Sequence, residues 1–248
     1  MNPVRDKVLI AKGAVILISA LSLFLSCTTA DYIYSLDAYP TGKHEAQGRM
    51  SILFGASRDL EITHDFRGEP SGLIPSDELS LIPLLGMSGE FGVNNHLDIG
   101  GGVSLGAFTF YSRLYTKISV TDTNSALGLA FVPMIEFGGT PDEFLGIELE
   151  DLYSNFGVKL LTPLSLRVHP AIMLQVTPIA GYEKIRYEFI GDDGYIVYNL
   201  SSDWLPMFGV NLGTRINILQ NDFFPQVSLV TFDEGKNWFP SLGVAIGV

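Results

Sequence analysis

The feature that most constrains the fold is a two-residue alternation that returns in segments of about ten residues or more. In LGLAFVPMIEF, Leu127, Leu129, Phe131, Pro133, Ile135 and Phe137 fall on one side, and Gly128, Ala130, Val132, Met134 and Glu136 on the other. FGVKLLTPLSLRV sets Phe156, Val158, Leu160, Thr162, Leu164, Leu166 and Val168 against Gly157, Lys159, Leu161, Pro163, Ser165 and Arg167. FGVNLGTRINI sets Phe208, Val210, Leu212, Thr214, Ile216 and Ile218 against Gly209, Asn211, Gly213, Arg215 and Asn217. Extended backbone sends successive side chains to opposite faces, so the chain is read as all-β. Its 26 glycines and 16 phenylalanines suit strands that pack closely and bend.

The less apolar face decides the architecture. A soluble sandwich buries its apolar face and covers the other with bulky polar residues. Here the second face mixes Gly, Ala and Ser with isolated charges: Arg49, Glu90, Asp98, Arg113, Lys117, Glu136, Lys159, Arg167, Glu183 and Arg215. Small residues beside sparse charges of both signs fit the crowded interior of a narrow closed barrel, where they form a lumen charge network and the apolar face meets lipid. Segment length agrees, because a tilted membrane strand needs about 9–11 residues while soluble strands average about 5–6.

The spacing predicts strands near 47–56, 80–93, 97–105, 108–120, 125–137, 151–167, 170–190, 195–218, 222–232 and 237–248. The expectation is a closed antiparallel transmembrane β-barrel of about ten strands, with eight or twelve as alternatives. Short turns at VNNHLD, TDTNS, VHP and LQND alternate with mostly longer connections, of which Ser57 to Leu79 is the longest, as expected for periplasmic turns and outer loops. FGVNNHLDIGGGV resembles a turn common in bacterial outer-membrane barrel proteins, and the resemblance of pattern covers nearly the whole mature chain.

The N-terminal residues read as a targeting signal. Arg5, Lys7 and Lys12 precede the apolar run GAVILISALSLFLS, too short for a comfortable transmembrane helix. FLSC resembles a bacterial lipobox, with Phe24 where Leu is usual, which implies acylation of Cys27, the single cysteine. An ordinary signal peptide is the alternative. The division expected is a signal peptide over 1–26, a lipid-anchored periplasmic linker over 27–46 and the outer-membrane barrel over 47–248. SLGVAIGV resembles the C-terminal signal read by the barrel-assembly machinery, through Ser241, Gly243, Ile246 and Val248, with Val248 in place of the usual aromatic residue. That segment is expected to pair with the first strand and close the barrel.

Chemistry-bearing residues are sparse. A formal net charge of −12 argues against a nucleic-acid partner, which requires clustered Lys and Arg. His44, His64, His96 and His169 are too scattered for a metal-ligand pattern. His64-Asp65 is the single pair reminiscent of an acidic hydrolase site. Carboxylates gather in the long connections, at Asp59, Glu61, Asp65, Glu69, Asp77 and Glu78 and again at Asp142, Glu143, Glu148, Glu150 and Asp151, without an EF-hand spacing. Tyr153, Tyr195, Tyr198, Trp204 and Trp238 are expected at the outer rim, where amphipathic rings settle at the membrane interface.

Taken together, the sequence predicts an outer-membrane barrel with a plugged lumen and a structural or surface-interaction role, without catalysis or cofactor. Its expected partners are outer-membrane lipid and the assembly machinery, and the oligomeric state is left open. The rival readings are a narrow anion-preferring pore, an outer-surface hydrolase using His64, and a soluble periplasmic lipocalin-like lipoprotein with the apolar face inside.

Overall fold

A computed structural model describes residues 28–29, 34, 36–64, 70–106, 109–140, 143–144, 147–148, 151–190, 196–218, 221–232 and 237–247. Cys27, Val248 and the signal segment lie outside the described residues, as do Asp142 and Glu150 of the second acidic connection.

The strands are β1 (Ala46–His64), β2 (Pro70–Gly92), β3 (Leu97–Leu105), β4 (Phe110–Ser119) and β5 (Leu127–Gly139). β6 is built from Asp151–Leu161 and Leu164–His169, and β7 is Ile172–Ile190. β8 is built from Ile196–Ser201 and Leu205–Ile218, followed by β9 (Asn221–Phe232) and β10 (Asn237–Gly247). Each pairs antiparallel with its sequence neighbour, and β10 returns to β1, so the sheet is a closed ten-strand barrel. Closure gives each strand a partner on both sides, which a sheet in hydrocarbon requires. Among the described residues there is no helix.

The alternation places the apolar face outside. Phe131, Ile135 and Phe137 of β5, Phe156, Val158, Leu160, Leu164 and Leu166 of β6, and Met50, Ile52 and Phe54 of β1 are all exposed. Val132, Met134, Glu136, Lys159 and Leu161, their immediate neighbours, are buried in the lumen. An apolar belt around a polar interior, on an even number of strands, is the architecture of a transmembrane barrel. The lipocalin-like reading is thereby corrected, since it needs those apolar side chains inside.

One connection differs from the sequence expectation. Ser57 to Leu79 is not a loop: β1 and β2 continue as a ladder from Ser57↔Ser80 to His64↔Pro70, forming a tall hairpin above the barrel. Beyond lipid no apolar face is demanded, so pairing resumes past a register shift at Asp59, with Leu60 opposite Pro75 and Glu61 opposite Ile74. β6, expected as one strand over 151–167, is carried across a proline. Around Thr162–Pro163 the ladder is bridged by Thr162 N–H donating to the Pro178 carbonyl at 3.0 Å and Ala130 N–H donating to the Pro163 carbonyl at 3.1 Å.

The short connections 93–96, 120–126 and 170–171 share one end of the barrel with the start of β1, here the turn end. The β1–β2 hairpin and the Ile196–Ser201 piece of β8 rise from the other, the loop end. The chain reaches β1 through Gly42, whose φ of 110° is in the left-handed region open to glycine. There the His44 N–H donates to the Gly92 carbonyl at 2.8 Å. A Cβ on Gly92 would fall 1.8 Å from the Gly42 carbonyl oxygen, so the two backbones meet only because Gly92 has no side chain.

Candidate functional site in the barrel lumen

The lumen is occupied by the chain itself. Tyr34, Leu36, Asp37, Ala38, Tyr39 and Thr41 are all buried, and their partners lie on strands all around the barrel. Sequence reasoning assigned this stretch to a linker; the structure places it inside the walls.

Nearest the turn end, Thr41 N–H donates to Asp98 Oδ2 at 2.9 Å, and the Thr41 hydroxyl lies 3.1 Å from both Asp98 Oδ2 and Glu90 Oε2. The Tyr39 hydroxyl donates to the Ser125 carbonyl at 2.9 Å, and the Ala38 N–H donates to Ser165 Oγ at 3.0 Å. One step deeper, Asp37 is shared by three cations from three strands: Arg215 at 3.5 Å, Arg49 at 3.6 Å and Lys117 at 3.9 Å. Lys117 also pairs with Glu90 at 2.7 Å and Asp98 at 3.0 Å, Arg49 pairs with Glu90 at 3.2 Å, and Tyr115 donates its hydroxyl to Glu90 at 3.1 Å. Each cation therefore meets carboxylate acceptors and each carboxylate meets cations or hydrogen-bond donors, as ions withdrawn from water require. The Phe224 ring lies beneath two of the cations, 5.0 Å from the Arg49 guanidinium and 5.8 Å from that of Arg215.

Deeper still, Tyr34 lies at the centre of a second group. Lys159 donates to its hydroxyl at 3.0 Å, pairs with Glu136 and lies 3.7 Å from Glu183. The Arg113 guanidinium stands 5.3 Å from the Tyr34 ring centroid and donates to Ser104 Oγ at 2.9 Å. Tyr34 and Leu36 also pack with Tyr115, Val132, Met134, Leu161 and Ile179 into an apolar cluster inside the barrel. What remains beside Tyr34 and Leu36 is a cavity of about 20 Å³, room for about one water. A wider recess of about 400 Å³ lies at the turn end, lined by Arg167, His169, Met173, Arg215, Asn217 and Asp222.

Arg49, Glu90, Asp98, Arg113, Lys117, Glu136, Lys159 and Glu183 are thus gathered, buried, into two linked clusters. Arg215 is half-buried and bridges Asp37 to Asp222. Arg167 departs from the set. It is exposed at the turn end, where its guanidinium stacks 4.6 Å from the Tyr39 ring centroid. Tyr153 also departs from expectation: it is buried in the lumen and not at the rim, whereas Trp204 is exposed and meets Phe156 edge-on at 5.9 Å.

At the other end of the chain, Ser241 is buried opposite Ser228, while Gly243 and Ile246 pair with Leu53 and Met50 of β1. His64 stands opposite Pro70 high on the hairpin, and Asp65 lies outside the described residues. Among the described residues no group of three or more His, Cys, Asp or Glu side chains is arranged to hold a metal ion.

Sequence reasoning missed Asp37, the anion common to three cations, together with Tyr34, Tyr39 and Thr41. The available signal was aromatic density: Tyr32, Tyr34 and Tyr39 within eight residues are more than a solvated linker needs.

No protein-family model matches the chain, and neither does any curated protein. Among solved structures it is similar to the outer membrane protease OmpT from Escherichia coli, at 8% identity over 82% of this chain and 90% of that one, with a TM-score of 0.45. It is also similar to the translocator domain of the autotransporter NalP from Neisseria meningitidis, at 8% identity over 98% and 97% of the two chains and a TM-score of 0.42. LpxR from Salmonella typhimurium matches at 10% identity over 89% and 86%, with a TM-score of 0.37. The closed ten-strand barrel, apolar outside and charged within, therefore stands on its own geometry.

Proposed function

We propose that the protein resides in the bacterial outer membrane as a non-conducting barrel with a structural or surface-interaction role and no catalytic activity. The loop end faces outward, and the β1–β2 hairpin and the upper part of β7 and β8 are the surfaces it offers to a partner. The observation that carries this reading is the filled lumen: Tyr34 to Thr41 leave a cavity of about 20 Å³ at mid-barrel, far below a water-filled path. Lipid around the apolar belt and the assembly machinery during biogenesis are the partners this fold calls for.

Reconstitution in planar bilayers tests the reading. The wild-type protein is expected to be silent at all voltages. Asp37→Arg, which turns the common anion into a fourth cation beside Arg49, Lys117 and Arg215, is expected to expel the segment and open anion-preferring currents. Steady conductance from the wild type would sink the proposal in favour of a pore.

A further inference from the structure

At the turn end, a row of three residues crosses the lumen face at the edge of the charge clusters. Arg167 of β6 stands opposite Met173 of β7, and Met173 opposite Arg215 of β8. Neighbouring strands lie about 4.8 Å apart, so the two arginine backbones are about 10 Å apart with the buried Met173 between them. This row lines the recess of about 400 Å³, a volume in the range of roughly 300–1,000 Å³ typical of small-molecule sites.

The two arginines differ in what they hold. Arg215 is engaged, donating to Asp37 Oδ2 at 3.5 Å and to Asp222 Oδ2 at 2.5 Å, while Asn217 donates to Asp222 Oδ1 at 2.8 Å. Both Asp222 oxygens are thereby taken, on β9, three strands away from Arg167. Among the described residues Arg167 pairs with no carboxylate; its guanidinium is laid on the Tyr39 ring instead. That ring is pinned by its hydroxyl, which sits between the Ser125 and Ala126 carbonyls at 2.9 and 3.0 Å. Stacking occupies the face of a guanidinium and leaves the N–H donors on its edge available. His169 adds a further donor to the recess. Ala171 N–H donates to its Nδ1 at 3.1 Å, so Nδ1 carries no proton and the ring N–H is at Nε2.

We infer that the turn-end recess is a binding site for the phosphate group of a small solute. The Arg167 fork takes two phosphate oxygens, His169 Nε2 donates to a third, and the Arg215 guanidinium adds positive field from the far side of Met173. A tetrahedral phosphate has an oxygen for each of these donors and suits a guanidinium fork; chloride can span none of it. The row lies on the lumen face, while Leu166, Ile172 and Leu174 carry the apolar belt on the other, so the ligand comes from solution and not from a lipid headgroup. The formal net charge of −12 repels anions in general, which makes this local geometry the source of the affinity.

Calorimetric titration of the full chain with inorganic phosphate tests the site, in dodecyl maltoside micelles, which contain no phosphate of their own. Saturable binding is expected, and chloride at matched ionic strength is expected to give none. Arg167→Gln is expected to weaken binding about tenfold or more, the loss of a charge-assisted hydrogen-bond pair. Arg167→Lys, which keeps the charge and loses the fork, is expected to fall between Arg167→Gln and the wild type. Lys184→Gln, at an exposed position of β7 toward the loop end, is expected to change nothing. No saturation with the wild type, or equal weakening by Arg167→Gln and Lys184→Gln, overturns the site. Compact mobility on an unboiled gel shows that each variant is folded. Should Arg167→Gln fail there, His169→Phe, at an exposed position, removes the Nε2 donor; weaker binding is expected, and unchanged binding overturns the assignment. Repeating the titration in phosphatidylcholine nanodiscs separates solute from lipid. Unchanged affinity is expected, and loss of binding there overturns the solute in favour of a lipid phosphodiester already in the recess.

Discussion

Asp37 shows how one side chain can hold an element in place. Its carboxylate is the point at which Arg49, Lys117 and Arg215 converge from three strands, and its side chain is 4% exposed. Its charge also completes a balance, because the buried Arg49, Arg113, Lys117 and Lys159 and the half-buried Arg215 face Asp37, Glu90, Asp98, Glu136 and Glu183. Asp37→Asn keeps the shape and removes the charge. Breaking a buried ionic group by removing one partner costs about 3–5 kcal/mol, and a loss of that order is expected in urea unfolding of the refolded protein in detergent. Arg186→Gln is the control. Arg186 pairs with Glu188 but its side chain is 53% exposed, and exposed pairs contribute about 0–1 kcal/mol. Equal losses from the two variants would deny Asp37 its role. Nothing in the sequence singles out Asp37 among the 27 acidic residues, because its partners lie 12, 80 and 178 positions away, and no local pattern records such a meeting.

At the scale of the strand, physical legibility depends on how different the two faces are. β6 was readable because Leu160 meets lipid while Lys159, the preceding residue, is buried against Glu136. Leu160→Arg is expected to lower the free energy of folding into lipid vesicles by about 2–4 kcal/mol, the cost of a cation near the bilayer midplane. A loss below about 1 kcal/mol would place Leu160 near an interface, where that cost fades. The N-terminal segment was illegible for the opposite reason. Residues 36–40 are buried on every side, so there is no exposed face for an alternation to mark, and such a segment reads like any short run of mixed residues. The upper β1–β2 hairpin was missed because its pattern weakens once neither face has lipid to meet, while the backbone ladder continues. Tyr153 was misplaced by composition: an aromatic near a strand end reads as a rim anchor until the alternation of its neighbours, Leu152 outward of it and Asn155 buried, is traced into the lumen.

The whole molecule is held by contacts between residues far apart in sequence. Tyr34 meets Lys159 across 125 positions and Asn211 across 177, and β10 closes on β1. Topologies dominated by such pairings fold slowly, because the entropy of closing each loop is lost before its contacts form. A chain lacking residues 28–44 is expected to reach its compact, unboiled gel mobility more slowly than the full chain, since the Arg49, Lys117 and Arg215 side chains then face one another without Asp37. Refolding at the same rate would make the segment a late addition. Its placement argues for an early one. Tyr34 and Tyr39 are too broad to pass a finished lumen in which Lys117 is bonded to Glu90 and Lys159 to Glu136. A segment so enclosed is expected to act as a mandrel, with the staves laid around it and the joint between β10 and β1 closing them.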